Sequence, residues 1–260
     1  MKLSIKEVEN ILKMNEEVSE DLLFTIKSDD RKGVQKAFSK WLSQKEKQEQ
    51  LETQFEEMLY YERKAWEQGL RYIAGIDEVG RGPLAGPVIA AAVILPEKFR
   101  LMGLTDSKKV SKKNREEFYE VIYSEAISIG IGVVPAEEID RINIYEATKL
   151  AMLKALDELN IPPEHLLIDA MKLPTNYTQT SIIKGDSKSV SIAASSIIAK
   201  VTRDHYMEKL GQQYPQYGFE NHMGYGTKEH LAAIDEFGLL SEHRKSFAPI
   251  RERSITNRLF

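Results

Sequence analysis

The spacing of apolar residues changes near residue 70. Before that point apolar side chains recur at helical intervals between Glu, Gln and Lys. One such series has i, i+4, i+7, i+8 spacing: Leu51, Phe55, Met58 and Leu59. All nine prolines follow residue 70. The pattern therefore predicts a small all-helical unit over residues 1–70, broken near residues 28–30.

From residue 72 onward, runs of β-branched and small residues alternate with segments of helical spacing, punctuated by Gly and Pro. The predicted strands are 72–79, 88–95, 129–134, 165–169 and 181–184. The predicted helices are 112–127 with Ser111 as N-cap, a helix from Pro135 that breaks and resumes over 145–159, 191–210, and 228–237 closed by Gly238 in a left-handed conformation. Strands that come first as a hairpin and then alternate with helices predict an α/β fold. Residues 71–260 should form a mixed sheet flanked by helices, with further helices at the C-terminus.

Composition limits the classes of function. Hydrophobic residues make up 42% of the chain and charged residues 29%, as in soluble globular proteins. The sequence has neither a secretory signal nor an apolar run long enough to span a membrane, so a cytoplasmic location is expected. A monomer is also expected. The absence of cysteine excludes disulfides and thiolate metal sites. A net charge of -4 argues against a purely electrostatic nucleic-acid binder, although local fields matter more than the sum.

The dipeptide Asp-Glu occurs three times, and its surroundings separate the copies. Asp235-Glu236 lies among apolar residues at helical spacing, which predicts a solvent-facing helix surface. Asp77-Glu78 instead ends a buried strand and precedes Gly80. In a regular strand the two side chains would point to opposite faces. They can converge only where the strand ends and the backbone turns.

Four acids, each at the end of a predicted strand, suggest a metal site. Two carboxylates about 4 Å apart repel by roughly 4 kcal/mol at an effective dielectric near 20, and a divalent cation between them reverses the sign. Asp169 and Asp186 follow later strands, where open α/β sheets present ligand groups. Oxygen-only ligation suits Mg²⁺ or Mn²⁺. The alternative is that one carboxylate of the Asp77-Glu78 pair is protonated or paired with Arg81.

The glycines after this strand admit two interpretations. Gly80, Gly82 and Ala85 match the G-x-G-x-x-A fingerprint of a dinucleotide-binding oxidoreductase, in which a helix begins inside the motif. Gly86-Pro87 and the apolar run that follows would break such a helix. Loop glycines also let backbone amides approach a polar ligand closely. The second interpretation is favoured.

Basic and imidazole side chains give weaker signals. Two basic clusters, residues 108–115 and 244–258, are each typical of a solvated surface when taken alone. Lys184, Lys200 and Arg203 either face a nucleic-acid backbone or are solvated. The five histidines are scattered along the sequence and are interpreted as structural residues.

Several long segments together resemble one family. They are GIDEVGRGPLAGPV, TDSKKVS, LLIDAMKLP, KGDSKSVSIAASSIIAKVTRD, HMGYGTKEHL and HRKSFAPI. They occur in the order found in bacterial ribonuclease HII, the type-2 ribonuclease H family, and span roughly residues 71–250. The resemblance implies a ribonuclease H-like fold and metal-dependent cleavage of RNA joined to or embedded in duplex DNA. The substrates implied include single ribonucleotides misincorporated into DNA, and their removal implies a role in DNA repair and replication.

The resemblance also implies roles for individual residues. Two Mg²⁺ or Mn²⁺ ions would be held by Asp77, Glu78, Asp169 and Asp186, with Asp77 bridging them. Cleavage on the 5′ side of a ribonucleotide would leave 3′-hydroxyl and 5′-phosphate ends. The remaining substrate contacts implied are Gly80, Arg81 and Gly82 on the 2′-hydroxyl, Tyr225 stacked on the sugar, and Lys108 and Lys109 near phosphates. Lys184 is a further candidate for substrate binding.

The N-terminal helical unit is a departure from many family members, which begin close to the first strand. Ribonuclease HIII also has an N-terminal extension but carries Gly-Lys-Gly where this chain has Gly-Arg-Gly, so ribonuclease HII is favoured. Residues 1–70 are expected to be dispensable for chemistry and to modulate affinity or bind a protein partner. A non-catalytic nucleic-acid-binding protein of the same fold remains an alternative, disfavoured because uncompensated carboxylates repel phosphate.

Overall fold

Two compact units make up the chain, Met1–Glu56 and Glu57–Phe260, in a computed structural model that describes residues 3–14 and 18–256. The first unit contains α1 (Ile5–Met14), α2 (Glu20–Lys27) and most of α3 (Lys32–Met58). Its core is formed by Val8, Leu12, Ile26 and Val34. The helical character of this segment is confirmed. The division of domains at residue 70 stays a prediction.

The break between α2 and α3 lies where the sequence predicts it. Asp29 follows α2, and its carboxylate accepts hydrogen bonds from the backbone N–H and the guanidinium of Arg31. The same guanidinium donates from Nη2 to the carbonyl of Leu3 at 2.7 Å. The Asp29 carboxylate thus binds the Arg31 N–H, which in a continuous helix would donate to the carbonyl four residues earlier, so one helix ends before the next begins.

Five strands in the described part of the second unit form one mixed sheet, in the order β3-β2-β1-β4-β5. The strands are β1 (Ile73–Val79), β2 (Val88–Ile94), β3 (Ser128–Val134), β4 (His165–Asp169) and β5 (Gln179–Ile182). β1 pairs antiparallel with β2 and parallel with β4. β2–β3 is antiparallel and β4–β5 parallel. The predicted mixed sheet is confirmed, except that the fifth strand ends at Ile182. Lys184 adopts a left-handed conformation (φ 57°), which an extended strand cannot contain.

Helices connect and cover this sheet. They are α4 (Tyr60–Glu67), α5 (Lys112–Glu125), α6 (Ala136–Ile142), α7 (Ile144–Asp157), α8 (Val190–Gln213), α9 (Phe219–His222), α10 (Lys228–Phe237) and α11 (Ala248–Thr256), with 3₁₀ turns at Gly185–Ser187 and Pro215–Tyr217. Ser111 caps α5 as predicted, because its Oγ accepts from the N–H of Asn114. Asn143, at φ 69°, separates α6 from α7 and caps the latter. Gly238 ends α10 with a positive φ of 82°.

The two faces of the sheet are covered by different helices. Ala74 and Ile76 of β1 pack in one core with Ala151 and Met152 of α7. On the other face, a Cβ added to Gly75 would lie 2.0 Å from the backbone of Ser191, so α8 approaches the strand to backbone contact there. Alternate strand residues share a face, so Asp77 lies on the α8 side.

No helix in the described ranges combines the length and the apolar character that crossing a lipid bilayer requires.

Candidate active site

Asp77 and Asp169 lie side by side at one edge of the sheet. The parallel pairing of β1 with β4 ends at Ile76 opposite Ile168, and the two aspartates are the next residue on each strand. By strand alternation both belong to the face covered by α8. The carboxyl ends of neighbouring parallel strands therefore bring together two acids that are far apart in sequence.

Glu78 joins this pair, although strand alternation would place it on the opposite face. Carboxylate oxygens of Asp77, Glu78 and Asp169 all lie within 4.8 Å of one another. Since β4 no longer pairs with β1 beyond Ile76, that edge of β1 is open and the Glu78 side chain can turn around it. The N–H of Glu78 donates to Asp77 Oδ1 at 2.8 Å, which also fixes the first carboxylate. The sequence-based expectation of convergence at a strand end matches this geometry.

Asp186 lies near this trio without belonging to it. It sits in the 3₁₀ turn Gly185–Ser187, and the N–H of Gly185 donates to Asp169 Oδ1 at 2.6 Å. Burial raises the pKa of Asp186, and the negative charges of Asp106 and Asp169 raise it further. Asp106 is therefore a fifth acid at this edge. Sequence reasoning did not single it out, although it opens the DSKK part of the TDSKKVS segment.

Electrostatics at the trio favour a bound cation. Burial raises the pKa of Asp77 well above its ordinary value, and the adjacent charge of Glu78 adds to the shift. Burial also raises the pKa of Glu78, against the opposing effect of Arg81. Glu78 Oε1 accepts from Arg81 Nη1 at 3.2 Å, so the alternative pairing with Arg81 is present. The bond to Arg81 involves only Oε1, and Glu78 Oε2 is buried with no hydrogen-bond partner.

A divalent cation fits these donors. Carboxylate oxygens are the ligands that Mg²⁺ and Mn²⁺ prefer, and a cation here would relieve the repulsion among one buried and two half-buried carboxylates and supply a partner for Glu78 Oε2. This is the only group of three or more such ligands that the described residues form.

A chain of hydroxyl groups connects the trio to the DSKK segment. Ser196 of α8 hydrogen-bonds the Asp77 carboxylate. Its Oγ lies 3.0 Å from Oγ of Ser107, and both serines are buried. The loop that carries Lys108 and Lys109 is thereby fixed relative to the carboxylates. Both lysine side chains are exposed.

Next to the trio, the residue 80–87 loop faces Tyr225. The N–H of Leu84 donates to the carbonyl of Gly224 at 2.8 Å, which joins the two loops. A Cβ added to Gly82 would meet only the Tyr225 ring, at 3.6 Å. Tyr225 is 49% exposed. An exposed aromatic ring beside an exposed glycine forms a surface onto which a flat or narrow ligand can lie.

Two basic side chains expected to be solvated or to face a phosphate backbone are buried instead. Arg203 is 1% exposed and Arg244 0%, and both donate to backbone carbonyls. The expectation was wrong for these two because burial depends on distant carbonyls that sequence patterns do not reveal. Lys200 is partly buried and bound to Asp204 at 2.6 Å, whereas Lys184 is exposed.

Three of the scattered histidines meet in space. His222 stacks on His230 with ring centroids 4.6 Å apart, and Nε2 of His230 lies 3.1 Å from Nε2 of His243. Burial lowers the pKa of His230 and of His243 to about 4, so both are neutral near pH 7. The N–H of Leu240 donates to His243, which donates to His230, which donates to the carbonyl of Tyr225. Their interpretation as structural residues holds, but their association was not predicted.

Other interpretations of the sequence can be judged from the same geometry. Asp235 and Glu236 are exposed on α10, as predicted for the copy of the Asp-Glu pair. The Gly80–Ala85 fingerprint is followed by strand β2, and within the described residues no helix begins in that loop. The dinucleotide-binding oxidoreductase is therefore not supported, because its pyrophosphate site requires a helix N-terminus there.

Comparison with known proteins confirms the resemblance. A family model described as Ribonuclease HII matches residues 74–250, and one described as Ribonuclease HII N-terminal domain matches residues 4–66. A ribonuclease HII of Bacillus cereus (strain B4264) is 61% identical over 252 residues, 96% of this chain and 97% of that protein.

Two solved structures with similar folds are each 27% identical to this chain. Ribonuclease H2 from Pyrococcus horikoshii OT3 has a TM-score of 0.63, with 72% of this chain and 98% of that chain covered. Ribonuclease HII in the PCNA complex from Archaeoglobus fulgidus has 0.58, with 68% and 95% covered. The chain therefore belongs to the ribonuclease HII family, whose members are endoribonucleases that act on RNA paired with DNA.

Proposed function

We propose that this chain cleaves the phosphodiester bond on the 5′ side of a ribonucleotide within duplex DNA, as well as RNA in longer RNA/DNA hybrids. The products would carry 3′-hydroxyl and 5′-phosphate ends, and the reaction would serve ribonucleotide removal during DNA repair and replication. The observation that carries the proposal is the convergence of three carboxylates within 4.8 Å, one buried (Asp77) and two half-buried (Glu78 and Asp169), next to an exposed glycine and tyrosine.

Asp77, Glu78, Asp169 and Asp186 are the proposed ligands of two Mg²⁺ or Mn²⁺ ions, with Asp77 contacting both. When bound, such ions lower the pKa of water and stabilise the attacking and leaving oxygens of an in-line displacement. The protein keeps the ligands in place. Asp169 is held by the Gly185 N–H, and Asp77 by Ser196 and the Glu78 N–H. A site held this way needs little rearrangement when ions arrive.

Gly80, Arg81 and Gly82 are proposed to read the 2′-hydroxyl, the group that distinguishes RNA from DNA. Gly80 has a structural reason to be glycine, since its φ is +89° and a Cβ would lie 2.2 Å from Nε of Arg203. Gly82 has no such reason, because a Cβ there would make only an ordinary contact with Tyr225. A glycine that the fold does not require is consistent with close approach of a ligand to the backbone. Tyr225 is proposed to stack on the sugar of that ligand.

Lys108, Lys109 and Lys184 are proposed phosphate contacts. All three side chains are exposed. Lys108 also lies close enough to lower the pKa of Asp186, which places its charge beside the acidic edge. Cations around a cluster of acids reduce the repulsion that the acids would exert on a polyanionic substrate.

The experiment that tests the function uses a DNA duplex with a single ribonucleotide, incubated with Mg²⁺, with Mn²⁺ or with chelator. Cleavage 5′ to the ribonucleotide is expected only with metal. Asp169→Asn is expected to lower kcat by about 100-fold or more while leaving duplex affinity within a few-fold, because it removes a metal ligand and no proposed substrate contact.

Asp235→Asn is the matched control, since Asp235 belongs to the exposed copy of the Asp-Glu pair. It should behave as the wild type. Direct titration of Mn²⁺ by calorimetry gives a second measurement that does not depend on turnover. Full activity in Asp169→Asn, or unchanged Mn²⁺ affinity, would refute the proposed ligand role.

A further inference from the structure

Two fully buried guanidinium groups lie beneath the residue 80–87 loop. Arg244 Nη2 donates to the carbonyl of Gly80 at 2.6 Å, and Nη1 to that of Arg81 at 2.9 Å. Nε and Nη2 both donate to the carbonyl of Gly86, at 3.0 and 2.8 Å. One side chain therefore holds the beginning and the end of the loop together.

Arg203, which projects from α8, completes the arrangement. Its Nε donates to the carbonyl of Pro87 at 3.0 Å and its Nη2 to that of Ala85 at 3.1 Å. Its Nη1 donates to the carbonyl of Met223 at 3.0 Å, on the segment that leads to Tyr225. The two arginines thus bind the 80–87 loop and the segment before Tyr225 from the buried side.

Carbonyls, not carboxylates, accept the hydrogen bonds of these cations. In the described part of the chain neither Arg203 nor Arg244 forms an ion pair within 4.0 Å. Burial lowers the pKa of Arg203 to about 10 and that of Arg244 to about 9, so both remain charged near pH 7. A buried cation is costly unless its donors are all satisfied. Each guanidinium therefore stabilises the one loop conformation that turns these carbonyls inward.

The inward carbonyls have a consequence for the outer surface. With Gly80, Arg81, Ala85 and Gly86 bonded beneath the loop, Gly82 is left exposed opposite Tyr225. Backbone bonds reinforce the conformation, since the N–H of Arg244 donates to the carbonyl of Leu84 at 2.8 Å. Hydrogen bonds within the chain therefore define the conformation of the ligand-facing surface.

We propose that Arg244 and Arg203 are positioning residues that set ribonucleotide selectivity by holding the 80–87 loop and the Tyr225 segment in their reading conformation. This rests on the proposed function, in which Gly80, Arg81 and Gly82 contact the 2′-hydroxyl. Neither arginine touches substrate. Each acts through the backbone it binds.

Lysine substitutions separate charge from geometry. A lysine keeps the cation but has one ammonium in place of a planar group that reaches several carbonyls at once. Arg244→Lys and Arg203→Lys are therefore the test variants. Arg100→Lys is the control, because Arg100 also donates to backbone carbonyls, those of Glu97 and Phe99, on the exposed surface.

The first measurement is amide hydrogen exchange of residues 80–87 in full-length protein without substrate or metal. The second compares kcat and KM on a duplex with one ribonucleotide, together with affinity for the same duplex made only of DNA. In both test variants exchange in the loop should accelerate, while exchange in β1 and α7 should not. Cleavage efficiency should fall by about 10- to 100-fold, with all-DNA affinity within a few-fold of the wild type.

Loop exchange that matches the wild type in both variants overturns the proposal. Faster exchange with unchanged cleavage efficiency also overturns it, because the arginines would then serve only stability. An equal loss of affinity for the ribonucleotide and all-DNA duplexes contradicts a role in selectivity. Wild-type protein that does not cleave the ribonucleotide duplex overturns the proposed function and the selectivity role with it, while the exchange rates still report on the loop.

Discussion

At the scale of single residues, Gly80 and Gly82 illustrate two different reasons for glycine. Gly80 has a positive φ and no room for a Cβ beside Arg203, so the fold requires it. Gly82 has neither constraint, and its neighbour across an open gap is the Tyr225 ring. The distinction can be measured because one glycine should affect folding and the other only the reaction.

Gly82→Ala is expected to leave the free energy of unfolding within about 0.5 kcal/mol of the wild type. Cleavage at a single ribonucleotide should fall by about 100-fold, because the added methyl keeps the sugar from the backbone. Gly80→Ala, the comparison, should instead lose about 1–3 kcal/mol of stability through backbone strain. Urea unfolding and steady-state kinetics measure both effects. A Gly82→Ala enzyme of full activity would contradict the assigned substrate contact.

Asp77→Asn is expected to stabilise the metal-free protein. The folded-state pKa of Asp77 is raised, so the folded protein holds a proton that the unfolded chain releases above its ordinary pKa near 4. As pH rises through that window the buried charge destabilises the fold, and the asparagine removes this loss. In thermal melts with chelator, the Tm of Asp77→Asn should exceed that of the wild type near pH 8 and almost equal it near pH 4. Each kcal/mol of added stability corresponds to roughly 2–4 °C in Tm. An equal gain at both pH values would show that the buried charge of Asp77 is not the cause of the gain.

At the scale of elements, α8 organises the site. Ser189, Ser196 and Arg203 are seven residues apart and so lie on one helix face. Ser189 caps the helix and donates to Glu62 at 2.6 Å, Ser196 hydrogen-bonds Asp77, and Arg203 binds the glycine loop. One helix therefore fixes the carboxylates and the loop relative to each other.

The histidine cluster between α9, α10 and the segment after α10 should make stability fall in mild acid. His230 and His243 have folded-state pKa values of about 4, below the ordinary value near 6.5. Between these values the unfolded chain binds protons that the folded protein does not, so stability rises with pH across this window. The expected loss on acidification from pH 6.5 to about pH 4 is on the order of 3 kcal/mol for each of the two histidines.

Urea unfolding at a series of pH values measures this slope. His243→Gln should reduce it, whereas His205→Gln should not, because His205 is partly exposed and lies outside the cluster. An identical slope in His243→Gln would show that the cluster is not responsible.

At the scale of the whole molecule, α4 belongs with the sheet although it precedes residue 70. Ala65 of α4 packs with Ile73, Leu167 and Ile192. The Glu62 carboxylate accepts from Ser189 Oγ and from the N–H of Ser191, at the N-terminus of α8. Glu62 thus satisfies donors at the N-terminus of α8, although burial raises the pKa of its carboxyl group. Asp186 lies a few residues before this helix in the sequence.

Two deletions should therefore differ. Removal of residues 1–56, the first compact unit, is expected to leave kcat on a ribonucleotide duplex within a few-fold of the full chain. Removal of residues 1–70 also removes α4, exposes the apolar residues it covers and leaves the start of α8 without Glu62. That variant should lose several kcal/mol of stability. Loss of cleavage by a folded 57–260 protein would contradict the view that the N-terminal unit is dispensable for chemistry.

Much of the fold could be read from the sequence because burial repeats with the period of each element. Strand ends at Val79 and Asp169, the cap at Ser111 and the exposed Asp235 follow from residues close in sequence. That Asp77 and Asp169 each end a strand follows from local information, but their convergence depends on β1 and β4 being parallel neighbours in the sheet. For Glu78, the sequence indicated only that the strand must end and the backbone must turn for the two side chains to converge. It did not indicate the open edge of β1 around which the Glu78 side chain turns.

Only the tertiary structure decided which polar residues are buried. Arg244 lies in a basic segment typical of a solvated surface, yet it binds the carbonyl of Gly86 across a separation of 158 residues. Asp106 meets Asp186, and three histidines meet one another, through contacts of the same kind. The sequence determined the elements, since hydrophobic periodicity acts locally. The partners of buried charges depend on how distant segments pack, and no periodic pattern encodes them.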